Sequence, residues 1–102
     1  MKFGLKEKVL DAVKECLKKY PEIEVAIIYG SRAKGNYKNG SDIDLTLKGH
    51  SLTLSNILKL ENEIDDLLLP YKFDISIFHK IDNQDLIDHI ERAGKVFYSK
   101  KT

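Results

Sequence analysis

Three aspartates and a glycine-serine pair are the residues of this chain that could carry out chemistry together. Asp42 and Asp44 stand two residues apart at the start of an apolar run, Asp74 lies inside a later one, and Gly30 and Ser31 follow a third. A glycine-serine turn can hold phosphate, and carboxylates are ligands for magnesium. Magnesium-dependent transfer of a nucleotide requires this combination of groups.

The spacing of the aspartates predicts that they share one face of a β-sheet. Side chains alternate along a strand, so Asp42 and Asp44 project from the same face with their Cα atoms roughly 6.6 Å apart. If the strand that carries Asp74 lies beside them, three carboxylates converge, and their repulsion should raise at least one carboxyl pKa. Two divalent ions would neutralise the cluster. We therefore predict that Asp42, Asp44 and Asp74 are catalytic and bind two magnesium ions.

A basic loop follows the glycine-serine pair. Glycine lets the backbone approach a phosphate closely, successive N–H groups can form an anion site, and a serine hydroxyl adds a donor. Basic side chains in the loop could balance the charge of a triphosphate. The predicted nucleotide-binding residues are Gly30, Ser31, Arg32, Lys34 and Ser41.

Each of these features also has an ordinary structural explanation. The Gly30–Ser31 pair could be only a turn, loop lysines such as Lys34 and Lys38 are usually solvated, and Ser41 could merely shape the turn after Gly40. An Asp-x-Asp pair could also be a solvated sheet edge. The occurrence of all these features in one order favours the functional interpretation over the separate structural ones.

Other reactive residues lack the spacing of a site. His50, His79 and His89 lie in different predicted elements, and we interpret them as surface histidines. Cys16 falls on the apolar face of the first predicted helix, which favours a packing role over a nucleophilic one.

Composition limits the classes of protein to consider. The chain has 102 residues, which fits a single domain spanning 1–102. Its formal net charge is +1, which gives no reason to expect a nucleic-acid or membrane partner. The single cysteine excludes an intrachain disulfide, and no apolar run approaches the length of a membrane helix. We expect a cytoplasmic protein.

Hydrophobic periodicity predicts helices alternating with strands. Pro21 and Pro70 stop the first two helices, Asn83 can cap the last one, and Gly94 can end it. The inner face of the second helix includes Leu67 and Leu68, and the polar end of the chain, Lys100 and Lys101, should be frayed. The order predicts one small α+β sheet, of the two-layer α/β type, with helices on one face. The predicted helices are 5–19, 53–69 and one that begins near 83, and the predicted strands are 23–29, 42–48, 71–78 and 96–98.

The three motifs together resemble a known family. Segments 30–35, 41–45 and 73–75 are similar to the minimal nucleotidyltransferases of the DNA polymerase beta-like superfamily, and more narrowly to MntA-type antitoxins that are encoded beside HEPN-domain partners. The resemblance extends from Leu5 to Tyr98. It implies the nucleotidyltransferase fold of the polymerase beta palm, a mixed sheet that carries the three aspartates.

The same resemblance implies an activity. Gly30 and Ser31 would hold the phosphates of ATP, Asp42 and Asp44 would bind magnesium, and Asp74 would complete the metal site and help to deprotonate the acceptor. Members of the subgroup are implied to move AMP from ATP onto a tyrosine of the HEPN toxin and so silence it. Larger relatives bind the acceptor with a second domain, so we expect a partner protein or a second copy of the chain to present it.

Two other functions stay open on the sequence alone. The chain could neutralise a toxin by covering it, without catalysis, in which case its metal site would be vestigial or structural. It could also be the catalytic subunit of a transferase that modifies a small hydroxylated molecule.

Overall fold

A computed structural model describes residues 1–100, and residues 101 and 102 lie outside the described part of the chain. Helices and strands alternate much as predicted, and observed boundaries mostly fall within two residues of the predicted ones. The elements are α1 (Glu7–Lys18), β1 (Val25–Tyr29), α2 (Ser31–Lys34), β2 (Ile43–Lys48), α3 (Leu54–Asp65), β3 (Phe73–Ile77), a 3₁₀ turn (Phe78–Lys80), α4 (Gln84–Ala93) and β4 (Lys95–Ser99).

The strands form one mixed sheet in the order β3-β2-β1-β4. β1 pairs antiparallel with β2 and with β4, whereas β2 and β3 run parallel. The parallel pair requires a crossover connection, and α3 supplies it. This arrangement confirms the predicted α+β fold, and it places the apolar strand β1 inside the sheet.

One face of the sheet carries the core. Ile43, Leu45 and Leu47 alternate along β2 toward this face and have no exposed surface. α1 and α3 lie against each other, and their apolar residues join the same core cluster, as the prediction of helices on one face requires. α4 packs instead across β1 on the other face, where a side chain at Gly94 would collide with Ile27, so the prediction of helices on one face holds for α1 and α3 and not for α4.

Polar contacts link the segment just after α1 to α3 beside this core. The phenol of Tyr20 donates a hydrogen bond to the Glu63 carboxylate, and the Lys19 ammonium lies 3.1 Å from the other oxygen of that carboxylate. Burial, followed by the bond to Glu63, raises the pKa of Tyr20 to about 12. The phenol therefore stays protonated as a donor that joins this segment to α3.

The end of α3 differs from the prediction. Thr53 caps the helix by accepting the Asn56 N–H, but the helix ends at Asp65 and not near Pro70. Leu68 takes a left-handed conformation with φ of 55° and is 88% exposed, so its predicted place on the inner face was wrong. Two aspartates at the helix C-terminus oppose its dipole, which disfavours further helical turns.

The other end signals act as predicted, with one correction at the end of the chain. Asn83 caps α4 by accepting the Leu86 N–H, and Gly94 follows the helix. Lys100 is not frayed, because its N–H donates to the Glu24 carbonyl at 2.9 Å. Lys101 lies outside the described residues. Within residues 1–100, no helix has the length and hydropathy that a membrane crossing needs.

Candidate active site

The pairing of β2 with β3 brings the aspartates to one place. Asp44 lies directly opposite Asp74 in the parallel register, so both side chains project from the same face. Asp42 precedes β2 by one residue and, by the alternation of side chains, belongs to this face too. The convergence expected from the sequence is therefore present, on the face opposite the Leu45 core.

The charges at this face act on one another as predicted. Burial, then the carboxylates of Asp74 and Asp42, raise the pKa of Asp44 above its usual range. Asp44 is half-buried, whereas Asp42 and Asp74 are exposed. Like charges this close favour either a proton or a bound cation.

The donor set fits a magnesium ion that is shared with a substrate. Magnesium prefers one or two carboxylates together with substrate phosphate oxygens, and rarely takes a cage made only of protein. Among residues 1–100, no three acidic, histidine or cysteine side chains are already closed into such a cage. Asp42, Asp44 and Asp74 would hold the ion with open positions left for other oxygens.

Because Gly30 has no side chain, the Asp44 carboxylate can lie close to its backbone. The φ of Gly30 is 79°, and a Cβ placed on this residue would lie 2.5 Å from the Asp44 Oδ2 atom. Such a backbone conformation favours glycine in its own right. Gly30 also precedes α2, where Ser31 begins a single helical turn, and the first N–H groups of such a turn have no partner inside it. The start of α2 therefore lies next to the Asp44 carboxylate.

Arg32 supports the loop from inside. Its guanidinium donates to the carbonyls of Ser41 and Phe3 at 3.0 and 2.9 Å, and lies over the rings of Tyr37 and Tyr71. Only 3% of the residue is exposed. The structure thus uses the donors of Arg32 to position the loop and leaves little of its surface for the predicted nucleotide contact.

Ser41 shapes the turn that precedes Asp42. Its hydroxyl accepts the Lys38 N–H at 2.8 Å, and its own N–H donates to the Lys38 carbonyl at 3.0 Å. This is the structural alternative that the sequence left open for Ser41. Lys34 and Lys38 are exposed, so their ammonium groups are accessible to an anion.

Tyr29 is a residue of the site that the sequence analysis missed. It is the last residue of β1, lies opposite Asp44 in the antiparallel register and is 8% exposed. Burial, then Asp44 and Asp74, raise the pKa of its phenol. In the sequence, Tyr29 directly precedes Gly30 and lies in a strand that could form a hairpin with β2. This position was the signal that could have identified Tyr29.

His89 is the second residue that the analysis missed. Its ring, on α4, meets the ring of Tyr29 edge to face with centroids 6.3 Å apart. The sequence predicts a surface histidine at His89, and in the structure the residue is half-buried with its ring against Tyr29. No local pattern could have shown it, because the contact joins separate elements.

The remaining candidates lie outside the site. His50 and His79 are exposed, as predicted. Cys16 is buried, and burial followed by the Glu63 charge raises the pKa of its thiol. A protonated, buried thiol fits the predicted packing role.

Comparison with solved structures shows the same fold in other proteins. The chain superposes with a TM-score of 0.72 and 17% identity on a structure described as a toxin-antitoxin with AMP-PNP, covering 90% of this chain and 74% of that one. It superposes with a TM-score of 0.69 and 14% identity on a complex from Shewanella oneidensis, covering 95% and 75%, which is described as a tri-AMPylated HEPN toxin with an MNT antitoxin. For a putative nucleotidyltransferase from Sulfolobus solfataricus the TM-score is 0.57 and the identity 18%, with coverage of 93% and 84%.

The family of the chain follows from its sequence. No curated protein matches it significantly. The family model described as "Polymerase beta, Nucleotidyltransferase" matches residues 11–102, which include the glycine-serine pair and all three aspartates. The chain belongs to this nucleotidyltransferase family.

Proposed function

We propose that this protein transfers AMP from ATP, with magnesium, to a tyrosine hydroxyl of a HEPN-domain toxin, and so acts as an antitoxin. The tyrosine oxygen would bond to the α-phosphorus of ATP while the bond from that phosphorus to the β-phosphate breaks, and pyrophosphate would leave. One observation carries the proposal: Asp44 and Asp74 are register partners on an open face, with Gly30 making room for the Asp44 carboxylate. This geometry suits a site where a triphosphate and its cations meet.

Different residues of the site would bind phosphate, bind magnesium and accept the proton of the acceptor. The unpaired N–H groups at the start of α2 and the Ser31 hydroxyl would donate to phosphate oxygens. Asp42, Asp44 and Asp74 would hold two magnesium ions, which when bound neutralise triphosphate charge and make the acceptor hydroxyl easier to deprotonate. Asp74 is exposed on the edge strand β3, so its carboxylate would be accessible to accept the proton of an incoming hydroxyl.

The acceptor is proposed from the similar structures. Two of them are described as toxin-antitoxin complexes, one with AMP-PNP and one with a tri-AMPylated HEPN toxin. The exposed Asp74 lies on the edge strand β3, where a protein partner could place a tyrosine beside it. Positioning and electrostatic stabilisation would then supply most of the rate gain.

The test combines the protein with a HEPN-domain toxin, ATP and magnesium, and weighs both chains by intact mass spectrometry. Wild type should add one or more adenylates to the toxin, and Asp44→Asn should add none while remaining folded. Asp11→Asn, which removes an exposed carboxylate on α1, is the matched control and should keep full transfer. Inhibition of the toxin without ATP, with no gain in mass, would show a binding module in place of an enzyme.

A further inference from the structure

His89 lies next to the face of the sheet that carries the aspartates. It belongs to α4, a helix to which the proposed function gives no role. The residue is half-buried, with its ring edge against Tyr29, the register partner of Asp44. The ring centroids of His89 and Tyr29 are 6.3 Å apart, so the imidazole borders the part of the sheet that carries Asp44.

The basic loop offers fewer side-chain donors to a phosphate than its sequence suggests. A bound triphosphate brings several negative charges to a face that already carries three carboxylates. Arg32 is the basic side chain nearest to Gly30 in sequence, but it is buried. Its Nε and Nη1 atoms already donate hydrogen bonds to the carbonyls of Ser41 and Phe3. Lys34 and Lys38 are exposed and can balance part of this charge, and α4 offers a further donor from another element, against Tyr29, the register partner of Asp44.

We propose that His89 contacts the substrate, its imidazole N–H donating a hydrogen bond to a phosphate oxygen of the nucleotide bound at Asp42, Asp44 and Asp74. This inference rests on the proposed function, since it assumes the nucleotide site. A neutral imidazole already carries one N–H donor, so the contact does not require the ring to be charged. The edge-to-face contact with Tyr29 would then hold the ring in place for the nucleotide.

A purely structural role for His89 would predict different behaviour. If the ring only packs against Tyr29, any aromatic replacement should serve and a side-chain amide should not. If the ring donates to phosphate, the opposite should hold. His89→Phe keeps the aromatic contact and removes the donor, whereas His89→Gln loses the ring and keeps an N–H donor.

The experiment measures binding of α,β-methylene-ATP with magnesium, an analogue that cannot transfer AMP, by calorimetry for wild type and both variants. We expect His89→Phe to bind about tenfold more weakly or worse, and His89→Gln to bind within about threefold of wild type. The same two changes at the exposed His79 should leave affinity unchanged. Melting temperatures of the nucleotide-free proteins check that each variant is folded.

Any other pattern overturns the inference, including equal affinity for all variants or a loss confined to His89→Gln. The proposed function fails separately. If wild type binds the analogue but moves no AMP from ATP to a HEPN toxin, the enzyme assignment is wrong, while the binding data still decide the role of His89.

Discussion

Replacing Gly30 with alanine should nearly abolish AMP transfer because it moves the Asp44 carboxylate. The new Cβ would lie 2.5 Å from Oδ2, where ordinary contact begins at 3.4 Å, so the carboxylate must shift by roughly 1 Å. A misplacement of that size can lower a rate by about a hundredfold. Oδ2 is the far end of a side chain that can rotate, so the collision itself should cost little stability.

The backbone at Gly30 adds a cost of its own. Its φ of 79° and ψ of −155° fall in a region that is nearly exclusive to glycine, where alanine costs about 1–3 kcal/mol. For a domain of this size, each kcal/mol lowers the melting temperature by about 4–8 °C. The variant should therefore be less stable and still folded at moderate temperature.

Gly35→Ala is the matched control. Gly35 also has a positive φ, of 87°, but a Cβ there meets nothing within 4 Å. It should lose about 1 kcal/mol of stability and keep its transfer rate. Rates for both variants are measured by mass spectrometry below their melting temperatures, as determined by circular dichroism. If Gly30→Ala transfers AMP within threefold of Gly35→Ala, the contact between Gly30 and Asp44 does not matter for the site.

Two further predictions follow from the raised pKa values. Because the folded state raises the pKa of Asp44, ionisation of this carboxyl disfavours folding at neutral pH, so Asp44→Asn should melt higher than wild type at pH 7 and lose that advantage as the pH falls toward about 4. If wild type and Asp44→Asn have equal melting temperatures at both pH values, the neighbouring carboxylates do not destabilise ionised Asp44. Tyr20, with its pKa raised from 10.0 to about 12, contributes stability that is present below pH 10 and lost as pH rises through about 12. Tyr20→Phe should cost about 1 kcal/mol in urea unfolding at pH 7 and flatten the alkaline decline, and an unchanged decline would contradict this.

Local patterns predicted most of the fold because each element carries its own signals. Asn83 and Gly94 mark the two ends of α4, and alternation along β2 separates Asp44 from Leu45. The pattern erred at Leu68, because apolar spacing continues past Asp65 although the helix does not.

The roles of the loop side chains could not be predicted from the sequence, because they depend on the groups that each side chain contacts in the folded protein. Arg32 looks like a phosphate ligand in sequence, since it follows Gly30 and Ser31 in a basic loop. In the structure it is buried beneath that loop and supports it through backbone carbonyls, including that of Phe3 near the N-terminus. Spacing along the chain cannot distinguish these two uses, because both place an arginine at the same position.

The sequence by itself determined which residues could form the site, because the alternation of a strand puts Asp42 and Asp44 on one face wherever the strand lies. Only the tertiary structure decided which strand stands beside them and which helix borders them. The parallel register sets Asp74 against Asp44, and the packing of α4 brings His89 to Tyr29. Both contacts join residues that are far apart in the chain. They depend on the packing of the whole molecule, so no local sequence pattern predicts them.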